Sequence, residues 1–237
     1  ELKTNTAKYS GVVNAVYCGD KAEIWEYIFA EHGLETVIAF FILFAGIVTV
    51  IFSIALGEVY RTKFDMEYLG WCMIMAAGWM VGESKLRQVL VPNATVLATL
   101  CFVMIMLGPL PIIYYIDSMQ SGRHQKLFWI AEAAAIVNFA VCTILHLSGA
   151  KDYIETLPIA HVILAVTLVL ILGTVFYDMY HGYITQNRFM VVGLLIAVVS
   201  VVVESISAYF VISISGIFMG IGMIVLLFFS LVRTIRN

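Results

Sequence analysis

Long runs of apolar residues, separated by short polar segments, dominate the pattern along the chain. A helix needs roughly 20 mainly apolar residues to cross a bilayer, and seven segments meet this requirement. They lie at about 35–57, 68–90, 94–116, 127–148, 157–177, 189–210 and 212–232. The runs are continuous and do not alternate, so they predict helices and exclude a membrane β-barrel. Short connections between the runs predict an all-α membrane protein, an antiparallel seven-transmembrane helix bundle.

The first 34 residues are predicted to form an extracellular tail, followed by a seven-transmembrane domain over residues 35–237. Within the tail, residues 19–33 (GDKAEIWEYIFAEHG) predict a short amphipathic helix. Asp20 is the expected N-cap, and Gly33 is expected to end this helix. A helix of this kind is predicted to lie across the outer membrane surface or the mouth of the bundle.

Composition agrees with a membrane environment. The chain is 62% hydrophobic and 12% charged, with a mean hydropathy of +0.98, whereas soluble domains are about half apolar and about a quarter charged. We therefore expect the lipid bilayer to be the main partner of the protein. The net charge is −3 and no basic run occurs, so a nucleic-acid partner is excluded. Three of the four cysteines lie in apolar runs, which does not suit a disulfide framework.

Lysine and arginine are distributed unequally between the two sides of the predicted bundle. Seven fall on one side, namely Arg61, Lys63, Arg123, Lys126, Arg188, Arg233 and Arg236. The short connections on the other side hold three, namely Lys85, Arg87 and Lys151. Because cytoplasmic loops are enriched in positive charge, the pattern predicts an N-terminus outside the cell and a cytoplasmic C-terminus.

Charged and polar side chains within membrane spans are candidates for function, because they are costly in lipid. Six in the predicted outer half form a candidate ligand pocket: Trp79, Glu83, Arg87, His146, His161 and Glu204. Glu83 and Arg87 are spaced to share one helix face with Trp79, either as a lock between helices or as the floor of a binding site. Lys85 points away from that face. An anchor at the membrane interface explains it as well as a role inside the bundle does. A guanidinium binds carboxylates well, so the ligand expected at Arg87 is a small anionic molecule.

Other kinds of chemistry find little support. His146, His161 and Glu204 are residue types that bind zinc, but no HxxxH or HExxH spacing occurs. We predict neither a metal nor a cofactor. Catalytic constellations are also absent from the sequence pattern. Residues 212–232 contain no lysine, which excludes a retinal pump because such pumps need a Schiff-base lysine in the last span.

The stretch YLGWCMIMAAGWMVGESKLRQ (68–88), followed by PN (92–93), resembles a known family. It is similar to the second span of the bacterial seven-transmembrane receptors with diverse intracellular signalling modules (7TMR-DISM type). In that family the span starts with YLG and an aromatic residue and ends with ES…Q. Further similar stretches are residues 13–28, 110–130, 138–149, 155–164 and 231–237. The chain most resembles members that carry a GGDEF diguanylate cyclase domain after the last span.

This resemblance implies a signal-transduction receptor in the bacterial inner membrane, with an external sensory domain and a cytoplasmic output enzyme for cyclic-di-GMP signalling. It also implies a homodimer, because GGDEF domains act face to face. No GGDEF motif occurs in the 237 residues, so the chain itself is predicted not to be an enzyme and to be part of a longer protein. Two alternatives stay open. The bundle could only relay motion from an external domain, or it could be a small-molecule transporter or channel, which would need a polar path across the membrane.

Overall fold

The computed structural model describes residues 18–61, 64–84, 86–87, 93–183, 188–209 and 216–236. The residues with assigned regular structure in these ranges are helical. Eight helices have described bounds: α1 (Lys21–Tyr60), α2 (Met66–Glu83), α3 (Ala94–Leu107), α4 (Pro109–Met119), α5 (Gln125–Leu147), α6 (Tyr153–Tyr180), α7 (Arg188–Tyr209) and α8 (Ile217–Arg236). The predicted all-α class is therefore confirmed for the described part of the chain.

Within the described residues, six helical stretches are long and apolar enough to cross a membrane. They are α1, the α3–α4 pair, α5, α6, α7 and α8. Large apolar side chains also cover the outside of the bundle, for example Phe44 and Phe52 on α1, which are 67% and 64% exposed. An apolar exterior of this extent is stable in lipid and would aggregate in water. The chain is thus a multi-pass membrane protein.

Helix α2, the predicted second span, is not among these six. It also ends at Glu83, whereas the sequence predicted a span to residue 90. Helix α2 packs against α1, α3, α4 and α8, and half of its residues are buried, including Gly70, Ala76 and Ala77. A helix enclosed by its neighbours has little contact with lipid, so it needs small residues for close packing more than it needs high hydropathy. A seventh span therefore stays a prediction.

Helix α1 also differs from the prediction, because it continues without a break through Gly33. Asp20 occupies the N-cap position as expected, although its side chain makes no capping hydrogen bond. The buried face already begins at His32 and Gly33 and continues through Thr36 and Ala39. Tertiary packing along this stripe favours one helix of 40 residues over two shorter ones. The first 17 residues of the predicted extracellular tail lie outside the described residues.

Polar contacts define two ends of the bundle. At the end named here the Arg233 end, Arg233 of α8 contacts Asp65, which precedes α2, and Asp178 of α6 contacts Arg123, which precedes α5. At the opposite end, named the Glu204 end, Glu204 of α7 contacts Gly216 at the start of α8. The antiparallel helices thus bring the predicted cytoplasmic arginines to one end, although the orientation in the membrane stays a prediction.

Glycines allow α1 and α2 to cross at close range. A Cβ atom added to Gly70 would lie 2.6 Å from Val50 Cγ2 and 2.9 Å from the carbonyl oxygen of Gly46. One added to Gly46 would lie 3.0 Å from the carbonyl oxygen of Gly70. Since backbone atoms cannot move aside as a flexible side chain can, the crossing requires glycine on both helices.

We predict that Gly70→Ala lowers the stability of the protein in detergent by about 1–3 kcal/mol, the usual cost of overpacking. The matched control is Gly173→Ala on α6, because nothing lies within 4 Å of the added Cβ there. The control should leave stability unchanged or raise it slightly, since alanine favours helix. Thermal unfolding followed by size-exclusion chromatography measures both. Equal midpoints for the two variants would contradict the close crossing.

Candidate functional site

A cavity of about 130 Å³ lies among α2, α3, α4, α6, α7 and α8. Its wall is mainly apolar and includes Met104, Leu168, Val198 and Met223. Three of the six predicted pocket residues also line it, namely Trp79, His161 and Glu204. The structure therefore brings half of the predicted set to one cavity.

The junction of α3 and α4 borders this cavity. Helix α3 ends at Leu107 and α4 starts at Pro109, with Gly108 between them lining the cavity. Pro109 has no N–H, so the carbonyl of Ile105 lacks the donor that a continuous helix would provide. Ile105 is also a lining residue. Gly108 itself keeps helical backbone angles, with φ −53° and ψ −34°, and its N–H donates to the carbonyl oxygen of Met104 at 2.8 Å. The proline therefore frees one carbonyl beside the cavity while the backbone stays helical.

Glu204 links the cavity wall to the last helix. It lies on α7 and is only 3% exposed. Its Oε1 accepts a hydrogen bond from the backbone N–H of Gly216 at 2.5 Å, and the backbone amides of Phe218 and Met219 also face the carboxylate. Carboxylates stabilise helix N-termini because the first N–H groups of a helix have no intrahelical acceptor. Glu204 thus caps α8 from the neighbouring helix.

Gly216 is suited to this contact by its backbone. Its φ is +92°, a conformation that residues with a side chain rarely adopt. A Cβ atom there would also lie 3.1 Å from Met80 Cε on α2. The glycine therefore lets the chain turn into α8 with its N–H directed at Glu204 and with α2 close beside it.

Trp79 and His161 complete the polar part of the cavity. Trp79 lies on α2 and is partly buried, and its Nε1–H has no hydrogen-bond partner among the described residues. The predicted fifth span begins at about residue 157, but α6 starts at Tyr153, so His161 lies about two turns into the helix. The N-cap Asp152, whose Oδ1 accepts from the N–H of Tyr153 at 2.7 Å, starts the helix ahead of Pro158.

Glu83 and Arg87 do not line the cavity. The spacing argument assumed one continuous helix, but α2 ends at Glu83 and Ser84 is its C-cap. Arg87 donates from its guanidinium to the carbonyl oxygen of Gly82 at 3.3 Å, so it binds back onto the end of α2. Ser84 meets Thr36 of α1 with 2.7 Å between their hydroxyl oxygens. In the described structure this segment ties α2 to α1, and Lys85 lies outside the described residues.

His146 is also separate from the cavity. Its Nδ1 lies 3.2 Å from Asp152 Oδ1, and its ring stacks on Tyr153 with 4.2 Å between ring centroids. Tyr153 in turn stacks on Phe102 of α3. His146 therefore fastens the end of α5 to the start of α6. Among the described residues, no group of three or more His, Cys, Asp or Glu side chains could hold a metal ion.

The Arg233 end contains a second polar network. Arg233 Nη1 lies 3.2 Å from Asp65 Oδ2, and Ser118 of α4 donates to the other oxygen of the same carboxylate. On α4, the hydroxyl of Tyr115 meets the hydroxyl of Ser230 on α8 at 2.5 Å and also contacts Met190 of α7. The network joins α8 to α4, to α7 and to the start of α2.

Sequence reasoning missed this network as a unit. The sequence offered one indication of this network, because Asp65 and Arg233 carry opposite charges at the same end of the predicted bundle. Their 168-residue separation gives no reason to pair them, however, without knowledge of which helices are neighbours.

Comparisons with models of protein families, with curated proteins and with solved structures give no match. A functional assignment therefore depends on the geometry of the cavity and the two ends of the bundle, together with the resemblance described above.

Asp178 provides a test of the Arg233 end, because it is fully buried and lies 2.9 Å from Arg123 and 3.0 Å from His124. We predict that Arg123→Ala lowers stability by about 1–3 kcal/mol, since it removes a charged partner from a buried carboxylate. Adding Asp178→Asn should recover part of the loss, and Lys126→Ala, at an exposed position, should have little effect. Thermal unfolding of the wild type, of these three variants and of Asp178→Asn alone measures the coupling. Additive effects of the two substitutions would contradict it.

Proposed function

We propose that this chain is the membrane domain of a bacterial signalling receptor, which senses a small molecule in the cavity and relays its binding to a cytoplasmic output module. The resemblance to 7TMR-DISM receptors supports a diguanylate cyclase as that module and a homodimer as the working form. The proposed location is the inner membrane, with the N-terminus outside. In this proposal the catalytic step lies outside the 237 residues.

One observation carries the proposal, namely that α8 connects the cavity to the network at the Arg233 end. Leu226 of α8 lines the cavity, and Ser230, one turn further, contacts Tyr115. On α7, Leu194 lines the cavity and Met190, one turn further, contacts the same tyrosine. Four residues of helix correspond to a rise of about 6 Å. A shift of the side chains that line the cavity would therefore displace residues of the network only one helical turn away, on both α7 and α8.

The geometry also suggests how the relay would work. Glu204 holds the start of α8 at one end, and Asp65 holds Arg233 near its other end. A ligand that packs better against one arrangement of α8 than another shifts the population between them. Because α8 leads out of the bundle at the Arg233 end, its movement is the proposed output signal.

The transporter or channel reading has less support. Between the cavity and the Arg233 end lie fully buried apolar side chains such as Ile113, Ile116 and Ile171. The hydroxyls in the same region, those of Tyr115 and Ser230, are bonded to each other. A transport path would need polar side chains or water across this layer. The receptor reading needs only that the layer transmits a shift in packing, which a close-packed apolar layer does well.

We predict that Ala197→Phe changes the output of the intact protein. Ala197 is 5% exposed and lines the cavity, so phenylalanine would fill space that the bundle uses to change its packing. A bias of about 1–2 kcal/mol would change the ratio of the two states by about 5- to 30-fold. The measurement is cellular cyclic-di-GMP in cells that produce the protein with its output module.

The matched control is Val199→Phe, which places the same side chain on α7 at a position that is 59% exposed and faces outward. It should leave cyclic-di-GMP at the wild-type level. Identical cyclic-di-GMP levels in the two variants and in the wild type would overturn the receptor proposal. Solute flux in liposomes that Ala197→Phe blocks would establish the transporter alternative.

A further inference from the structure

The cavity is suited in size to a small and mostly apolar molecule. Its volume is about 130 Å³, close to that of the engineered apolar cavity of about 150 Å³ that binds benzene. The lining includes apolar side chains from six helices, such as Met75, Ile112 and Leu164. A single ring or a short alkyl chain fits this space and this chemistry.

Two polar atoms of lining residues lack hydrogen-bond partners among the described residues. One is the donor Nε1–H of Trp79, and the other is the acceptor Oε2 of Glu204. They do not bond to each other, since each is unpaired. The amides of Phe218 and Met219 face the carboxylate, but neither forms a hydrogen bond to Oε2. A buried polar group without a partner costs about 1–3 kcal/mol, and buried polar groups in proteins nearly always have one. The cavity therefore combines an apolar body with one donor and one acceptor that call for a partner.

We propose that the ligand is a small apolar alcohol or phenol, whose hydroxyl donates to Glu204 Oε2 and accepts from Trp79 Nε1–H. This inference rests on the proposed function and names the ligand class for the same cavity. A hydroxyl group both donates and accepts a hydrogen bond, so its chemistry matches the free acceptor and the free donor of the two lining residues. The remaining surface of such a molecule is apolar, as the cavity wall requires.

Other ligand classes fit less well. An anion would place a second negative charge beside the buried carboxylate of Glu204, where repulsion is strong. A primary ammonium would pair with Glu204 but could not accept from Trp79, because it has no acceptor. A pure hydrocarbon would leave both polar atoms unpaired. The cavity thus favours a different class from the anionic ligand that the sequence suggested at Arg87, which lies elsewhere.

The same carboxylate connects this ligand to the proposed output. Glu204 uses Oε1 to cap α8, and a hydroxyl on Oε2 would share its negative charge. Any movement of the carboxylate towards the ligand would lengthen the 2.5 Å contact with Gly216. The ligand and the N-terminus of α8 would therefore bind the same carboxylate. Binding of the ligand would change the strength of the contact with α8.

The test measures binding of 4-fluorophenol, 4-fluorotoluene and 4-fluorobenzoate to the 237-residue chain in lipid nanodiscs by ¹⁹F NMR. Ala197→Phe, whose cavity is filled, serves as the reference and subtracts partition into lipid. We expect 4-fluorophenol to bind about tenfold more tightly than 4-fluorotoluene, in line with hydrogen bonds to a charged group. Specific binding of 4-fluorobenzoate should not be detected.

Two variants then assign the hydroxyl contacts. In Glu204→Gln the amide oxygen can still accept from Gly216, so α8 should keep its cap, while the amide N–H₂ replaces the acceptor and the preference for 4-fluorophenol should fall below about threefold. Trp79→Phe should also reduce that preference, because it removes the donor and keeps an aromatic ring. Equal affinity of the wild type for 4-fluorophenol and 4-fluorotoluene, or preferred binding of 4-fluorobenzoate, would overturn the proposal.

Failure of the ligand class is distinguishable from failure of the receptor function. If Ala197→Phe changes cyclic-di-GMP in cells but the wild type shows no preference for the hydroxyl, the ligand class is wrong and the receptor stands. If the hydroxyl preference is present but cyclic-di-GMP is the same in the wild type, Ala197→Phe and Val199→Phe, the cavity binds such ligands without a receptor role.

Discussion

The bond between the carboxylate of Glu204 and the start of α8 is the constraint on which the rest of the arrangement depends. A helix N-terminus needs acceptors for its first N–H groups, and in the low dielectric of a bilayer water does not supply them. Glu204 supplies an acceptor from α7, so the two helices are fixed to each other where they meet. The same side chain forms part of the cavity wall, which makes the position of α8 sensitive to whatever the cavity contains.

The two ends of α8 are held differently. At the Glu204 end, a single carboxylate and the close approach of Gly220 to Ile38 of α1 hold the helix. At the Arg233 end, an ion pair and a hydroxyl contact connect it to several elements. Between its ends, α8 lines the cavity with Met219, Met223 and Leu226, and its other contacts with neighbouring helices are stabilised mainly by apolar packing. Such packing has discrete arrangements and does not deform continuously, which is the property that a two-state relay requires.

The sequence predicted the helical class and most span positions, because apolar runs of membrane length have few alternative structures. It also identified Trp79, His161 and Glu204, which share the cavity. It did not identify the end of α2, where the apolar pattern runs on to residue 90 but the helix stops at Glu83. The grouping of Glu83 and Arg87 with the cavity depended on that longer helix. A polar side chain in a span can pair with a nearby residue and not face the cavity, as His146 does with Asp152. The sequence does not show which polar side chains are paired in this way.

The central position of α2 explains why it is less hydrophobic than the six candidate spans and why the cavity lies beside it. Among the described helices, α2 packs against α1, α3, α4 and α8, so small residues such as Gly70 and Gly82 replace the large apolar ones of a lipid-facing span. Small residues allow neighbours to approach closely at one level and leave space at another. At the level of Ala76 and Trp79, α2 faces the junction of α3 and α4, where Pro109 removes one helical hydrogen bond beside Gly108. The cavity is the space left where a central helix rich in small residues faces the Gly108–Pro109 junction of its neighbour, so both sequence irregularities contribute to one structural feature.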